Sequence, residues 1–160
     1  MEVAIFSGGP HLERNIRYPS IPYGKTIAVN DAINRIEDAP DWYCAGDPIA
    51  YTPEFTTRRP REGWLISSNI FAAEVKHWGG IPHLCWPDLP LLVDVPHLSH
   101  SIAAAYALAI HLGATHIVTF GEDRTDEGTR YDHHRRAIEE MTIAEILRRH
   151  PVPVERVTCS

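Results

Sequence analysis

Short apolar runs, several of them rich in β-branched residues, alternate along this chain with stretches of helical periodicity. The predicted strands lie at residues 2–6, 26–29, 41–45, 64–67, 81–86, 115–120 and 152–158. Short strands that alternate with helices are typical of a mainly parallel sheet that carries helices on both faces. The sequence therefore predicts a three-layer, Rossmann-like α/β fold.

Four helices are predicted between these strands, at residues 32–37, 71–78, 101–112 and 131–150. The third is apolar nearly all round, which predicts a buried helix, and Gly113 follows it as a stop signal. The fourth is predicted to be amphipathic, with Ile138, Met141 and Leu147 as its apolar positions, and to end at Pro151.

Length and charge restrict the class of protein further. A chain of 160 residues is predicted to form one domain over residues 1–160. Its net charge of −6 argues against a nucleic-acid partner. No apolar run reaches the roughly 18 residues of a membrane span. Without a recognisable signal peptide, and with three widely spaced cysteines, a cytoplasmic location is expected.

Polar or glycine residues follow four of the predicted strands directly. These clusters are Ser7-Gly8-Gly9, Asn30-Asp31, Gly46-Asp47 and Gly121-Glu122-Asp123. In a parallel sheet all four clusters would lie at one edge, where ligands of open α/β sheets bind. The alternative interpretation is that strand ends are loops and that loops are generally polar.

Two of the motifs suit a phosphate group. Gly8, Gly9 and Pro10 follow the first strand, and small residues there let backbone N–H groups approach an anion. Ser99 and Ser101 open the buried helix, whose N-terminus adds positive potential. The alternatives are an ordinary strand-to-helix turn for the first motif and helix capping by Ser99 or Ser101 for the second.

Asn30, Asp31 and Asp47 are predicted to contact the nucleoside part of a ligand. An asparagine amide both donates and accepts hydrogen bonds, which suits a base or a ribose edge. A carboxylate such as Asp47 could orient ribose hydroxyls or a metal ion. For Asn30 and Asp31 the alternative role is that of a helix N-cap.

The segment after the sixth strand could supply a metal site and proton-transfer groups. Gly121 and Glu122 stand at the strand end and are predicted to contact the nucleotide. Asp123 after them is a predicted catalytic carboxylate that could hold Mg²⁺ against phosphate oxygens. His133 and His134 are candidates for acid–base work. Neighbouring helical residues point about 100° apart, so the two histidines would not share one metal ion. The alternative is a solvated acidic loop with surface histidines.

The order of these motifs resembles a group of small Rossmann-like proteins, many from phages, often called morphogenetic proteins. That group is similar to archaeal 6-hydroxymethylpterin diphosphokinases and, more distantly, to bacterial sialyltransferases. Residues 7–12 occupy the group's Gly-x-Gly-Pro-Ser-Leu loop, and Asn30-Asp31 its Asn-Asp. Residues 40–42 and Asp47 match its Pro-Asp-aromatic run and following Asp, and residues 101–123 match its most specific block. The departures are Ser7 for the first glycine, His11 for serine and Ile102 for a glycine.

The resemblance implies a nucleotide-binding transferase. Its reaction would be pyrophosphoryl transfer from ATP with Mg²⁺, or glycosyl transfer from a nucleotide-activated donor. A non-catalytic phage-type accessory or nucleotide-sensing protein is the first alternative. A nucleosidase or deoxyribosyltransferase-like enzyme is the second, with Asp47 or Glu122 as its carboxylate nucleophile. The expected partner is a nucleotide or a nucleotide-activated small molecule, with a homo-oligomer left open and no membrane partner.

Overall fold

One parallel sheet organises the protein. The computed structural model describes residues 1–67, 81–122 and 130–157, and within these ranges seven strands form a single sheet in the order β5-β4-β3-β2-β1-β6-β7. The strands are β1 Glu2–Phe6, β2 Lys25–Val29, β3 Trp42–Cys44, β4 Gly63–Ile66, β5 His83–Cys85, β6 His116–Phe120 and β7 Val154–Val157. All the described neighbours pair in parallel. The predicted α/β fold class is confirmed.

Helices connect the strands. They are α1 Leu12–Asn15, α2 Ala32–Arg35, α3 Leu89–Leu92, α4 Ser101–His111 and α5 Arg130–Arg149, with 3₁₀ turns at Pro48–Tyr51 and Trp86–Asp88. The long helices α4 and α5 lie within a residue of their predicted bounds. Helices α1 and α3 were not predicted, since each is a single turn without a readable periodicity. The helix predicted at residues 71–78 lies outside the described residues.

The sheet separates two apolar layers. Val3 and Ile5 of β1 pack in the layer that contains α4, whereas Ala4 and Phe6 pack in the opposite layer. This is the alternation expected of a strand that is buried on both faces. Residues 102–109 of α4 are all buried, and five of the eight are alanines, which keeps this helix thin enough to lie close to the sheet.

Helix α5 faces the core with other residues than the pattern predicted. Ile143 and Ile146 are buried, and Leu147 packs partly against the same core. Ile138 and Met141 are 37% and 72% exposed, so their assignment to the apolar face was wrong. The sequence offers apolar residues on more than one side of this helix, and only the packing against α4 selects among them.

The strand order places a topological switch at β1. The chain proceeds from β1 to β5 in one direction and then returns to the other side of β1 with β6. Ligands of open α/β sheets bind near such a switch, outside the carboxyl ends of the strands. Within the described ranges, none of the helices combines the length and the apolar character needed to span a bilayer.

Candidate functional site

A cleft of about 510 Å³ opens at the carboxyl edge of the sheet. Its walls come from the carboxyl ends of β2, β3 and β4 and from the 3₁₀ turn after β5. The start of α4 and the first turns of α5 complete them. The lining residues are Asn30, Gly46, Asp47, Ser67, Trp86, Ser99, His100, Ser101 and Arg135. Four of the residues predicted to contact a nucleotide therefore lie together on this cleft, namely Asn30, Asp47, Ser99 and Ser101.

The N-terminus of α4 forms one wall. Ser101 is the first helical residue, and His100 occupies the N-cap position with an extended backbone and no capping hydrogen bond from its side chain. The alternative that Ser99 or Ser101 caps the helix is therefore wrong. Ser99 instead lies with its hydroxyl oxygen 2.9 Å from Nδ1 of His100. The positive end of the helix dipole thus faces the cleft, and the first-turn N–H groups have no acceptor within the helix itself.

Asn30 forms the floor at the end of β2. Its φ of 55° lies in the left-handed region, which asparagine tolerates better than most residues. Its side-chain Nδ2 donates to Oγ of Ser101 at 3.3 Å, and its backbone N–H donates to the carbonyl of Cys44 at 3.0 Å. Although Asp31 occupies the N-cap position of α2, its side chain makes no capping hydrogen bond. The amide of Asn30 is therefore held in place at the cleft.

Cys44 lies beneath this floor. Its thiol donates to the carbonyl of Ser101 at 3.3 Å, and complete burial raises its pKa far above the ordinary range. A thiol with a strongly raised pKa stays neutral and is a poor nucleophile. Cys44 therefore supports the floor and is not a reactive group.

Trp86 and Asp47 complete the wall beside β3. A Cβ added to Gly46 would lie 2.7 Å from Cη2 of Trp86, so glycine at this position allows the indole to pack against the end of the strand. Ser67 fixes the same backbone by donating to the carbonyl of Gly46 at 2.8 Å. Asp47 is exposed at the rim, and its Oδ1 accepts from the N–H of Ile49 at 3.2 Å.

Arg135 supplies a permanent positive charge to the cleft from the first turns of α5. Sequence reasoning missed it because no motif marks an arginine whose position depends on how α5 packs. The predicted catalytic neighbour His134 is exposed and is not among the lining residues, and the side chain of His133 is not described. His100, overlooked within the Ser99-His100-Ser101 motif, is the histidine among the described lining residues.

The glycine loop after β1 is not part of the cleft lining. The N–H groups of Ser7 and Gly9 donate to the carbonyls of Phe120 and Gly121, each at 2.8 Å. Arg35 donates to the carbonyls of Gly8 and Gly9 at 3.0 and 2.9 Å. These bonds join β1 to β6 and α2, so the N–H group of Gly9, one of the residues predicted to bind phosphate, already has an acceptor.

Asp31 also belongs to this junction. A Cβ on Gly8 would overlap its carboxylate, and its Oδ2 lies 3.4 Å from Nη1 of Arg35. Pro10, the last residue predicted to bind phosphate in this loop, is exposed. Nucleotide binding by Gly8, Gly9, Pro10 and Asp31 stays a prediction, and the structure places these residues outside the cleft lining.

Glu122 follows β6 directly, and only 7% of its side chain is exposed. Tyr106 donates to its Oε1 at 2.8 Å, and Nε of Arg156 is 3.5 Å from its Oε2. Burial raises the pKa of Glu122, although Arg156 and Tyr106 oppose this. Gly121 before it has a φ of +78°, where a side chain would overlap the carbonyl oxygen of Ser7. Neither residue is among the described residues that line the cleft. Gly121 belongs to the β1–β6 junction, whereas Glu122 links the end of β6 to α4 and β7. Nucleotide binding by Gly121 and Glu122 stays a prediction.

The predicted magnesium site depends on Asp123, which lies outside the described residues. Within the described part of the chain, no group of three or more histidine, cysteine, aspartate or glutamate side chains is placed to hold a metal ion. Of the described residues that line the cleft, Asp47 is the carboxylate that could contact a metal ion. Use of Mg²⁺ therefore stays a prediction.

The fold is an α/β Rossmann-like fold of the kind that sialyltransferases adopt. The sialyltransferase CstII from Campylobacter jejuni, solved with the substrate analogue CMP-3FNeuAc, superimposes with a TM-score of 0.63 at 12% identity, over 98% of this chain and 79% of that one. The same enzyme in complex with a trisaccharide acceptor and CMP gives 0.62 at 11% identity, over 98% and 81%. No protein-family model and no curated protein matches the sequence. The likeness to phage proteins and pterin diphosphokinases stays a prediction.

Proposed function

We propose that this chain binds a nucleotide-activated sugar in the cleft and transfers its glycosyl group to an acceptor hydroxyl. The observation that carries the proposal is the convergence of the α4 N-terminus, the Asn30 amide and Arg135 on one cleft at the carboxyl edge. Nucleotides bind at this edge in α/β folds because strand ends and helix N-termini meet there.

The phosphate is assigned to the side of the cleft between α4 and α5. A helix N-terminus and a guanidinium group both stabilise a bound anion. A guanidinium group can also donate two parallel hydrogen bonds to two oxygens of one phosphate. Ser101 is the first residue of α4 and can donate from its hydroxyl. When the sugar leaves, negative charge grows on the phosphate oxygens, and fixed positive groups stabilise that charge most in the transition state.

The nucleoside is assigned to the side formed by β2 and β3. The Asn30 amide can both donate and accept, and the exposed carboxylate of Asp47 can accept from ribose hydroxyls. Trp86 also lines the cleft, where it packs against Gly46 and is 6% exposed. This arrangement keeps negative charge away from the phosphate and places it where hydroxyl groups need acceptors.

His100 is assigned the proton transfer. In the reaction the bond between the sugar's anomeric carbon and the phosphate oxygen breaks, and a bond from the acceptor oxygen to that carbon forms. The acceptor's proton moves to a base, and the nucleoside phosphate leaves with the bonding electrons. Among the described residues that line the cleft, His100 supplies the imidazole, and Ser99 contacts its Nδ1, which restricts its ring.

The comparisons favour glycosyl transfer over pyrophosphoryl transfer. Sialyltransferases of the same fold have been solved in complex with CMP or with a CMP-linked analogue. At 11–12% identity, this likeness supports the reaction class and not a particular sugar or acceptor.

The test combines binding with turnover. Calorimetry with CMP, UMP, AMP and GMP identifies the nucleotide, and release of that nucleotide from its sugar conjugates measures transfer or hydrolysis. Arg135→Gln should weaken nucleotide binding by about tenfold or more. Arg148→Gln on the same helix removes an exposed arginine that pairs with Glu145, and it should bind like the wild type.

Each outcome separates the candidates. Binding that depends on Arg135, together with nucleotide release, supports the transferase. Binding without release from any sugar nucleotide would instead indicate the non-catalytic, nucleotide-sensing protein. Absence of binding to all four nucleotides would overturn the proposal.

A further inference from the structure

A second cavity, of about 310 Å³, lies on the other face of the sheet. Phe6 and Ile36 line it, and both belong to the apolar layer opposite α4. Tyr18 and Tyr23, from the segment between α1 and β2, form further walls. The cavity is therefore distinct from the cleft at the α4 N-terminus, and the proposed function leaves it unused.

Its aromatic walls are held in place. The Tyr23 ring packs edge-on against Phe6, with 6.5 Å between centroids, and its hydroxyl donates to the carbonyl of Arg17 at 2.9 Å. The Tyr18 hydroxyl accepts from the N–H of Glu37 at 2.9 Å, and Tyr18 remains 46% exposed. A ligand in the cavity would thus meet two tyrosine side chains that already have fixed positions.

Carboxylates outnumber cations among the described residues that line the cavity. Asp41 is neutralised within the protein, since Nε of Arg61 lies 3.2 Å from its Oδ1 and the N–H of Thr26 donates to its Oδ2 at 2.8 Å. Glu37 and Asp38 also line the cavity, and both are exposed. Arg61 is the single cation among the described lining residues, so two carboxylates remain in excess.

The titration of Tyr18 agrees with this negative potential. Partial burial raises the pKa of its phenol, the charges of Glu37 and Asp38 raise it further, and the N–H of Glu37 and the smaller effect of the Arg58 charge lower it. An anion placed in the cavity would meet the same repulsion, whereas a cation would be attracted.

From this geometry we propose that the cavity binds a small organic cation, an ammonium or guanidinium group on an apolar stem. The stem would pack among Phe6, Ile36 and the prolines of the wall, and the cation would lie near the tyrosine faces and the carboxylates of Glu37 and Asp38. Cations are attracted to tyrosine faces, and the volume falls at the lower end of the range for small-molecule sites. The proposal does not depend on nucleotide binding at the cleft.

Three probes of similar shape test the charge requirement. Calorimetry or ligand-observed NMR would compare 2-phenylethylamine, a cation, with neutral 2-phenylethanol and anionic phenylacetate. The amine should bind at least about tenfold more tightly than either of the others, because only it gains from the carboxylates and the tyrosine faces. Equal binding of the alcohol, or no binding of the amine, would overturn the proposal.

Matched variants locate the site. Glu37→Gln combined with Asp38→Asn should weaken binding of the amine by about tenfold or more. Glu54→Gln combined with Asp88→Asn removes two exposed acids elsewhere, changes the net charge equally and should leave the affinity unchanged. Tyr18→Leu keeps an apolar wall and should weaken the binding of 2-phenylethylamine more than the binding of 2-phenylethanol. If the first double variant binds the amine like the wild type, the assignment is wrong.

Discussion

The side-chain amide of Asn30 donates a hydrogen bond to the hydroxyl of Ser101, 3.3 Å away, and so links the end of β2 to the start of α4. Cys44 completes the link by accepting from the Asn30 N–H through its carbonyl and donating from its thiol to the carbonyl of Ser101. The floor of the cleft is therefore connected before any ligand binds, and a preformed floor reduces the entropy lost on binding.

Replacing Asn30 by glycine should separate its ligand contacts from its backbone role. Glycine adopts the φ of 55° without strain, so Asn30→Gly should keep the fold, whereas the lost amide should lower nucleotide affinity by about tenfold. Asn30→Ala should lower affinity equally and also cost about 1 kcal/mol of stability from the left-handed backbone. Calorimetry and urea unfolding measure both quantities. An unchanged dissociation constant in both variants would remove Asn30 from the site.

A pair of glycines should show how tightly the β1–β6 junction is packed. At Gly121 the φ is +78° and a Cβ would overlap the backbone oxygen of Ser7, so Gly121→Ala should lower the free energy of unfolding by about 2–4 kcal/mol. Gly113→Ala is the control, because its φ is +92° but nothing lies within 4 Å of the added methyl group. That variant should lose only about 1 kcal/mol. If both variants lost the same free energy of unfolding in urea, the β1–β6 junction would accommodate the added methyl group without strain.

The ion pair of Glu13 and Arg35 should contribute to the decrease in the free energy of unfolding at low pH. Arg35 lowers the pKa of Glu13 from 4.5 to about 2, so this stabilisation is present above pH 4.5 and is lost as the pH falls toward 2. Solvent screens the pair because the Glu13 side chain is 56% exposed, and the effect should be small. The stability difference between wild type and Glu13→Gln should shrink across this window in urea unfolding. A difference independent of pH would contradict the assignment.

If His100 is the base, the transfer rate should depend on pH. A histidine must be neutral to accept a proton, so the transfer rate should fall as the pH is lowered. His100→Asn should remove this limb and lower the rate by about 100-fold or more, with nucleotide binding retained. His134→Asn alters an exposed histidine outside the cleft lining and serves as the control. A rate lost in the control but kept in His100→Asn would restore the interpretation made from sequence.

The strand pattern predicted the fold well because burial on both faces leaves a readable signature in short apolar runs. It also indicated that Asn30 and Asp47 would lie at the same edge, since parallel strands end there. It could not show that the N–H groups of Ser7 and Gly9 are used by β6, because that depends on which strand lies beside β1.

Arg135 could not be predicted for a related reason. Its place on the cleft depends on the rotation of α5, and the apolar residues of that helix do not fix the rotation: Met141 is exposed while Ile143 and Ile146 are buried. Local motifs therefore located the edge where ligands bind, but contacts between distant segments decided which residues face the cleft.

Binding of a nucleotide phosphate at the N-terminus of α4 can be observed by amide NMR of the labelled chain, titrated with CMP, UMP, AMP and GMP. We expect saturable shifts at the amides of Ser101 and Ile102 and at the side-chain amide of Asn30. In Arg135→Gln the same shifts should require a higher nucleotide concentration. Saturable shifts confined to Gly8 and Gly9, or no shifts with any of the four nucleotides, would contradict binding at the N-terminus of α4.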